Sequence, residues 1–141
     1  EKLKNKEIKA GIFGPSPTRF GGYRPESEPE TLALTELCRT ANIRQAAALH
    51  SQGEVIYWSY GNSEPPRAKK MAEIMSTSSG YALDVPVGIA DGGGFKDWFI
   101  TEFRRPGFTI ELGTGKNPLP AADAEKIYMR VRKMLMLFIM M

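Results

Sequence analysis

The sequence predicts an α/β fold with layered helices and strands, and three observations lead to this prediction. The chain has 141 residues, 42% of them hydrophobic, which suffices for one domain with a buried core. Short apolar runs typical of strands alternate with longer segments of helical periodicity. One run, residues 43–50 ("IRQAAALH"), has small apolar residues on both faces, which is typical of a central strand covered by helices on each side.

The chain divides into an irregular lead-in, residues 1–26, and an α/β core, residues 27–141. The lead-in is charged at first and then rich in glycine, proline and aromatic residues, a composition typical of loops. A helix is predicted at the start of the core, because Ser27 can cap it, Pro29 suits its first turn and Glu30 completes a capping box. Four residues give this helix an apolar stripe: Leu32, Leu34, Leu37 and Cys38.

The other predicted elements follow in alternation. After the strand at 43–50, strands are predicted at 54–60 and 107–113, with a short extended segment at 81–88. Helices are predicted between Pro66 and Gly80, in the second half of "ADGGGFKDWFITEF", and from "NPLPAADAE" to the C-terminus. The apolar tail "MLMLFIMM" is expected to pack against the domain.

The composition argues against several classes of site and surface. A net charge of +3 is spread along the chain without a stripe of interleaved basic and aromatic residues, so no nucleic-acid interface is predicted. The single cysteine, Cys38, excludes an internal disulfide and a multi-cysteine zinc site, and we expect it to be a small core residue. No apolar run reaches the roughly 18 residues that a membrane span needs.

Two residues at the carboxyl ends of predicted strands are candidates for chemistry. Glu111 lies on the polar face of the strand 107–113, where a buried carboxylate needs a partner. His50, the only histidine, ends the strand 43–50 just before a polar turn. Reacting groups in α/β sheets collect at such strand ends. A salt-bridged glutamate and a structural histidine remain the alternative interpretations.

Motifs along most of the chain resemble those of one protein family in order and spacing. The chain shows "SEPE" before a helix, "LHS" at one strand end, "IYWSYG" on the next strand, then "GGGFKDW", "FTIEL" and "NPLPAADAE". This series resembles the C-terminal half of the catalytic domain of the zinc carboxypeptidases, typified by carboxypeptidase A. The residues within these motifs are most similar to those of the bacterial branch of the family that cleaves γ-D-glutamyl-(meso)diaminopimelate bonds in peptidoglycan peptides.

The resemblance implies the back half of an α/β/α sandwich with a mixed sheet, and it gives both candidates a role. His50 would be the third zinc ligand, and Glu111 the general base for the zinc-activated water. The other two ligands, in a His-x-x-Glu motif, and the substrate-binding arginines are expected upstream of residue 1. The family's mobile tyrosine falls on Ile89 here, so that role is absent or supplied elsewhere. This chain alone is expected to be inactive.

The resemblance also implies a substrate and partners. Lys96 takes the position at the floor of the pocket for the residue after the scissile bond, where it would favour an anionic group. A solvated loop residue, or a lysine paired with Asp97 or Asp91, is the alternative. The expected partners are a peptidoglycan-derived peptide, the missing N-terminal half of the domain and, for this chain alone, further copies of itself.

Two other functions remain open, and so does the location. The chain could belong to a non-catalytic interaction domain that keeps the peptidase fold, or to a zinc carboxypeptidase acting on ordinary C-terminal residues. We expect a bacterial protein, located either in the cytoplasm or in association with the cell wall or the spore.

Overall fold

A computed structural model describes residues 2–18, 20–85 and 91–141 of the chain. Its four strands are β1 (Ala46–His50), β2 (Val55–Tyr57), β3 (Ala82–Asp84) and β4 (Gly107–Glu111), in one sheet of order β1-β4-β2-β3. β4 runs parallel to β1 and antiparallel to β2, and β2 runs parallel to β3. The predicted α/β class with a mixed sheet is confirmed.

The described residues also form α-helices before, between and after the strands. They are α1 (Lys2–Lys9), α2 (Pro29–Thr40), α3 (Ala68–Ser79), α4 (Phe95–Phe103) and α5 (Ala124–Met140), with a 3₁₀ turn at Ala121–Asp123. The three helices predicted from residue 65 onwards are confirmed. Gly80 ends α3 at a positive φ of 75°, as expected where a helix stops at a left-handed residue. No helix in the described ranges has the length and apolarity of a membrane span.

One face of the sheet carries the hydrophobic core, under α3 and α5. Ile56, Phe108 and Ile110 project from the strands into a buried cluster with Met71, Met75, Tyr81, Val131 and Met134. The C-terminal tail belongs to this layer, because the Phe138 ring meets Phe108 edge-on with centroids 5.9 Å apart. Packing of the tail against the domain is thus confirmed, although Ile139 and Met140 at its end stay exposed.

Among the described residues, α4 packs on the opposite face, close to the start of β4. A Cβ added at Gly107 would lie 3.1 Å from the Ile100 side chain and 3.3 Å from the Lys96 carbonyl oxygen. The helix therefore rests directly on the backbone at this glycine. Since β4 rises about 3.3 Å per residue, the face near Glu111, about 13 Å further along, lies beyond this contact.

The first forty residues differ from the sequence-based predictions in two ways. The lead-in is not irregular throughout, because residues 2–9 form α1; this segment has good helix formers and no glycine or proline. Helix α2 begins at Pro29 with Glu28 as its N-cap, and the Ser27 hydroxyl donates to the Glu28 carboxylate at 2.9 Å instead of capping the helix.

The predicted apolar stripe of α2 is only partly buried, and β1 is not a central strand of the described sheet. Cys38 is buried as expected, whereas Leu32, Leu34 and Leu37 are 40–55% exposed. β1 forms the edge of the four-stranded sheet, with β4 as its neighbour. Ile89, the position of the absent tyrosine, lies outside the described residues.

Candidate active site

His50 and Glu111 are register partners on the neighbouring parallel strands β1 and β4. Paired residues of neighbouring strands project from the same face, with the strands about 4.8 Å apart. Both residues are the last of their strands, so they meet at the carboxyl edge of the sheet. The register therefore brings the two candidate residues to one face at the ends of adjacent strands. His50 is exposed and Glu111 is half-buried.

The two loops that follow these strands are joined by hydrogen bonds. The Leu112 N–H donates to the His50 carbonyl oxygen at 2.8 Å, and the Gly53 N–H donates to the Gly113 carbonyl oxygen at 2.8 Å. The Asn117 side-chain amide donates to the Ser51 carbonyl oxygen at 2.8 Å. The polar turn after His50 is therefore held against the loop after Glu111, and this fixes the rim around both side chains.

A second row of polar side chains crosses the same face next to Glu111. Thr109 pairs with Tyr57 across β4 and β2, and Tyr57 pairs with Asp84 across β2 and β3. Burial raises the pKa of the Tyr57 phenol above its usual value, and the negative charges of Asp84 and Glu111 raise it further. The fields of both carboxylates thus reach this phenol, which stays neutral and able to accept or donate a hydrogen bond.

Lys96 is buried in the first turn of α4, with 3% of its surface exposed. Its ammonium forms an ion pair with Asp97 and donates to the Ser59 carbonyl oxygen at 2.6 Å. It also lies over the Tyr60 ring, 5.8 Å from the centroid. Of the alternatives for this residue, the pair with Asp97 is present and the solvated loop is wrong. An ammonium has three N–H donors, and acceptors among the described residues take two of them.

The described residues do not contain a complete metal site. They contain no group of three or more histidine, cysteine or acidic side chains that could hold a metal ion. His50, exposed at a strand end beside a carboxylate, has the chemistry and access of a single ligand. Within this part of the chain, nothing supplies the other ligands that zinc needs.

Tyr57 and Asp84 were not singled out from the sequence. Alternation along "EVIYWSY" puts Val55 and Tyr57 on one face, but it does not say which face Glu111 shares. That relation depends on how β2 and β3 are paired with β4. The register was the missing information.

The sequence of the chain is similar to those of known proteins. A family model described as zinc carboxypeptidase matches residues 9–133. Among curated proteins, the γ-D-glutamyl-L-diamino acid endopeptidase 1 of Lysinibacillus sphaericus is 46% identical over 115 residues, which cover 81% of this chain and 28% of the relative. The uncharacterized protein YqgT of Bacillus subtilis (strain 168) is 38% identical over 114 residues, covering 81% of this chain and 30% of that protein. The chain thus spans less than a third of these relatives.

Two solved structures have a similar fold. Thrombin activatable fibrinolysis inhibitor matches with a TM-score of 0.67 and 21% identity, over 81% of this chain and 33% of that one. The carboxypeptidase A of Helicoverpa armigera matches with a TM-score of 0.69 and 17% identity, over 89% of this chain and 38% of that one. At these identities the similarity shows the fold alone.

Proposed function

Because the chain belongs to the zinc carboxypeptidase family, and thereby to the zinc metallopeptidases, we propose that its whole protein hydrolyses γ-D-glutamyl-(meso)diaminopimelate bonds of peptidoglycan peptides. The relative from Lysinibacillus sphaericus is described as a γ-D-glutamyl-L-diamino acid endopeptidase, which supports this substrate class. The remaining parts of the site are expected in the portion of the relatives that this chain does not span.

The observation that carries the proposal is the register of His50 and Glu111. An imidazole and a carboxylate end neighbouring parallel strands on one face, at the edge where α/β enzymes bind ligands. A metal ligand and a general base that share one water molecule must be this close together. The two residues have separate roles in the proposal, ligand for His50 and base for Glu111.

In the proposed reaction, Glu111 takes a proton from the attacking water and later delivers a proton to the leaving amine. His50 would hold zinc together with ligands from outside this chain. Zinc, when bound, lowers the pKa of a water and polarises the scissile carbonyl. Lys96 would use its remaining N–H to bind a carboxylate of the residue after the scissile bond, because an ammonium already held by Asp97 and Ser59 is fixed in orientation.

Two substitutions in the full-length protein separate the proposed roles. Glu111→Gln should keep zinc bound, as measured by metal content, and lower kcat on a γ-D-glutamyl-diaminopimelate peptide by at least about 10²- to 10⁴-fold. His50→Ala should lose zinc. Glu64→Gln, an exposed glutamate, is the control and should change neither quantity. A Glu111→Gln protein that loses zinc yet regains activity when zinc is added would reverse the roles.

A pair of substrates tests the substrate class. The full-length protein should hydrolyse a γ-D-glutamyl-diaminopimelate peptide faster than a plain peptide cut at its C-terminal residue. Preference for the plain peptide would instead indicate an ordinary zinc carboxypeptidase. Absence of both activities and of saturable zinc binding would indicate a non-catalytic interaction domain.

A further inference from the structure

We propose that Asp84 and Tyr57 form the subsite that binds the second amino group of a diamino acid after the scissile bond. This inference rests on the proposed function and adds a specificity determinant to it. It starts from the sheet register, which brings Tyr57 and Asp84 into one row with Thr109 on the face that carries Glu111.

The row lies within reach of a substrate held at Glu111. Thr109 is two residues before Glu111 on β4, about 7 Å from it, and Asp84 lies at the far end of the row, two strands across and about 12 Å from Glu111. Helix α4 covers this face at Gly107, two residues further from Glu111. A pocket along the face would therefore begin at Glu111, pass the row, and end near Lys96 of α4.

The groups of the row are hydrogen-bond acceptors of the kind that bind an ammonium. Asp84 is exposed, and one of its carboxylate oxygens accepts the Val85 N–H at 2.7 Å. No lysine or arginine in the described ranges forms an ion pair with it. The neutral phenol of Tyr57 lies in the field of the same carboxylate and adds a second acceptor oxygen.

The substrate class supplies a matching cation. In a peptide bond to a diamino acid, the α-amino group is part of the amide, and the second amino group remains free and positively charged. In lysine and diaminopimelate, four C–C bonds of about 1.5 Å separate the α-carbon from the carbon that bears this group, an extended length of about 5 Å. With the C–N bond and a hydrogen bond of about 3 Å added, the side chain of a residue bound at Glu111 would extend along the row past Thr109 and Tyr57 towards the Asp84 carboxylate.

The two charged residues of the pocket then bind different groups. Lys96 already has its charge balanced by Asp97, and it is proposed to bind the far carboxylate that diaminopimelate has and lysine lacks. Asp84 would bind the amino group that lysine and diaminopimelate share. A side chain without a second amino group, such as norleucine, would leave Asp84 without a cation.

The test compares γ-D-glutamyl dipeptides of diaminopimelate, lysine and norleucine in the full-length protein. Asp84→Asn should lower kcat/KM for the first two by about 10- to 100-fold, the size expected for one charge-assisted contact, and leave the norleucine peptide nearly unchanged. Asp84→Glu should restore part of the preference, and Tyr57→Phe should reduce it less. Asp123→Asn, the same substitution at the start of α5, is the control.

An equal fall on all three peptides would indicate a structural role for Asp84 and overturn the inference, as would no fall at all. A binding measurement distinguishes a failure of this inference from a failure of the proposed function. In the Glu111→Gln background, calorimetry should show tighter binding of the lysine peptide than of the norleucine peptide, and Asp84→Asn should remove the difference. If the unsubstituted protein cleaved none of the peptides, the proposed function would fail, and this binding difference would still decide the role of Asp84.

Discussion

At the scale of single residues, Lys96 shows how a buried charge can be held in one position. The ion pair with Asp97 and the bond to the Ser59 carbonyl oxygen offset the cost of burying the ammonium. Asp97 is in turn held by the Gly92 N–H at 2.7 Å. The charge therefore sits in a fixed position, which suits a residue that recognises one substrate group.

Lys96→Met should change specificity as well as stability. Without the ammonium, KM for diaminopimelate peptides should rise, and their advantage over lysine peptides should narrow by about 1–3 kcal/mol, one charge-assisted contact. Parallel kcat/KM measurements on the two peptides check this, and an unchanged ratio would reject the pocket role. The melting temperature should also fall, because Asp97 loses its partner; combining the change with Asp97→Asn should recover part of that loss.

The raised pKa of Tyr57 has a consequence for stability at alkaline pH. An unfolded tyrosine ionises near pH 10, and the folded phenol ionises at higher pH because of burial and the nearby carboxylates. The stability that Tyr57 contributes is therefore complete below about pH 10 and is lost as the pH rises through its folded pKa. Urea unfolding of the full-length protein should show a smaller alkaline loss for Tyr57→Phe than for the control Tyr128→Phe, and equal losses would contradict the expectation.

The sequence was enough to single out those candidate site residues that a local strand pattern marks. The alternation along 107–113 and the lone histidine at the end of 43–50 identified Glu111 and His50. Recognising Asp84 as a candidate required the pairing of β2 with β3, which no local pattern encodes. The pairing of Lys96 with Asp97 was among the alternatives, but the burial of Lys96 depends on the packing of α4 against β1 and β4.

At the scale of elements, the contact between α4 and β4 sets the size of the open face. Gly107 lets the helix approach the strand closely, with Phe99 and Ile100 buried against it. Because α4 ends its contact here, the rest of the face towards Glu111 is left for the row of Thr109, Tyr57 and Asp84. The position of one helix thus determines the length of the proposed pocket.

Gly107→Ala should disturb this contact. The added methyl would lie 3.1 Å from Ile100 and 3.3 Å from the Lys96 carbonyl oxygen, so α4 would have to shift away from the sheet. We expect a loss of about 1–3 kcal/mol in the free energy of unfolding, as for overpacked cores, measured by urea denaturation. Gly14→Ala, where a Cβ meets nothing within 4 Å, is the control, and an equal effect at both positions would contradict the packing argument.

The elements that were predicted correctly are those with strong local signals. α3, α4 and α5 have helical periodicity and clear boundaries at glycine or proline, and Gly80 ends α3 where expected. The cap of α2 was wrong because Ser27 has a competing acceptor, the Glu28 carboxylate, at 2.9 Å. α1 was missed because only Leu3 and Ile8 of its eight residues are apolar, too few to mark an apolar face in the sequence.

At the scale of the whole molecule, the outer edge of β1 leaves the described sheet open on one side. β1 ends the described sheet, and Leu49 on it is 50% exposed. A groove of about 640 Å³ lies beside it, lined mainly by apolar side chains such as Leu112, Leu119 and Ile127. An open strand edge next to apolar surface favours pairing with another chain.

Residues 1–141 produced on their own should therefore self-associate. Light scattering at increasing concentration should show a mass above that of the monomer, 15.7 kDa. Leu49→Lys should weaken the association, because a charge on an edge strand opposes pairing, whereas Thr77→Lys on the exposed side of α3 should not. A stable monomer at high concentration would contradict this expectation.

The position of β4 has a consequence for the time at which the site is assembled. β4 is the last strand in the sequence, yet it lies between β1 and β2. During synthesis, β1 and β2 leave the ribosome before the strand that separates them, and they cannot complete the sheet alone. His50 becomes the neighbour of Glu111 only after β4 is inserted, so the two candidate residues come together only once residues 107–111 have left the ribosome.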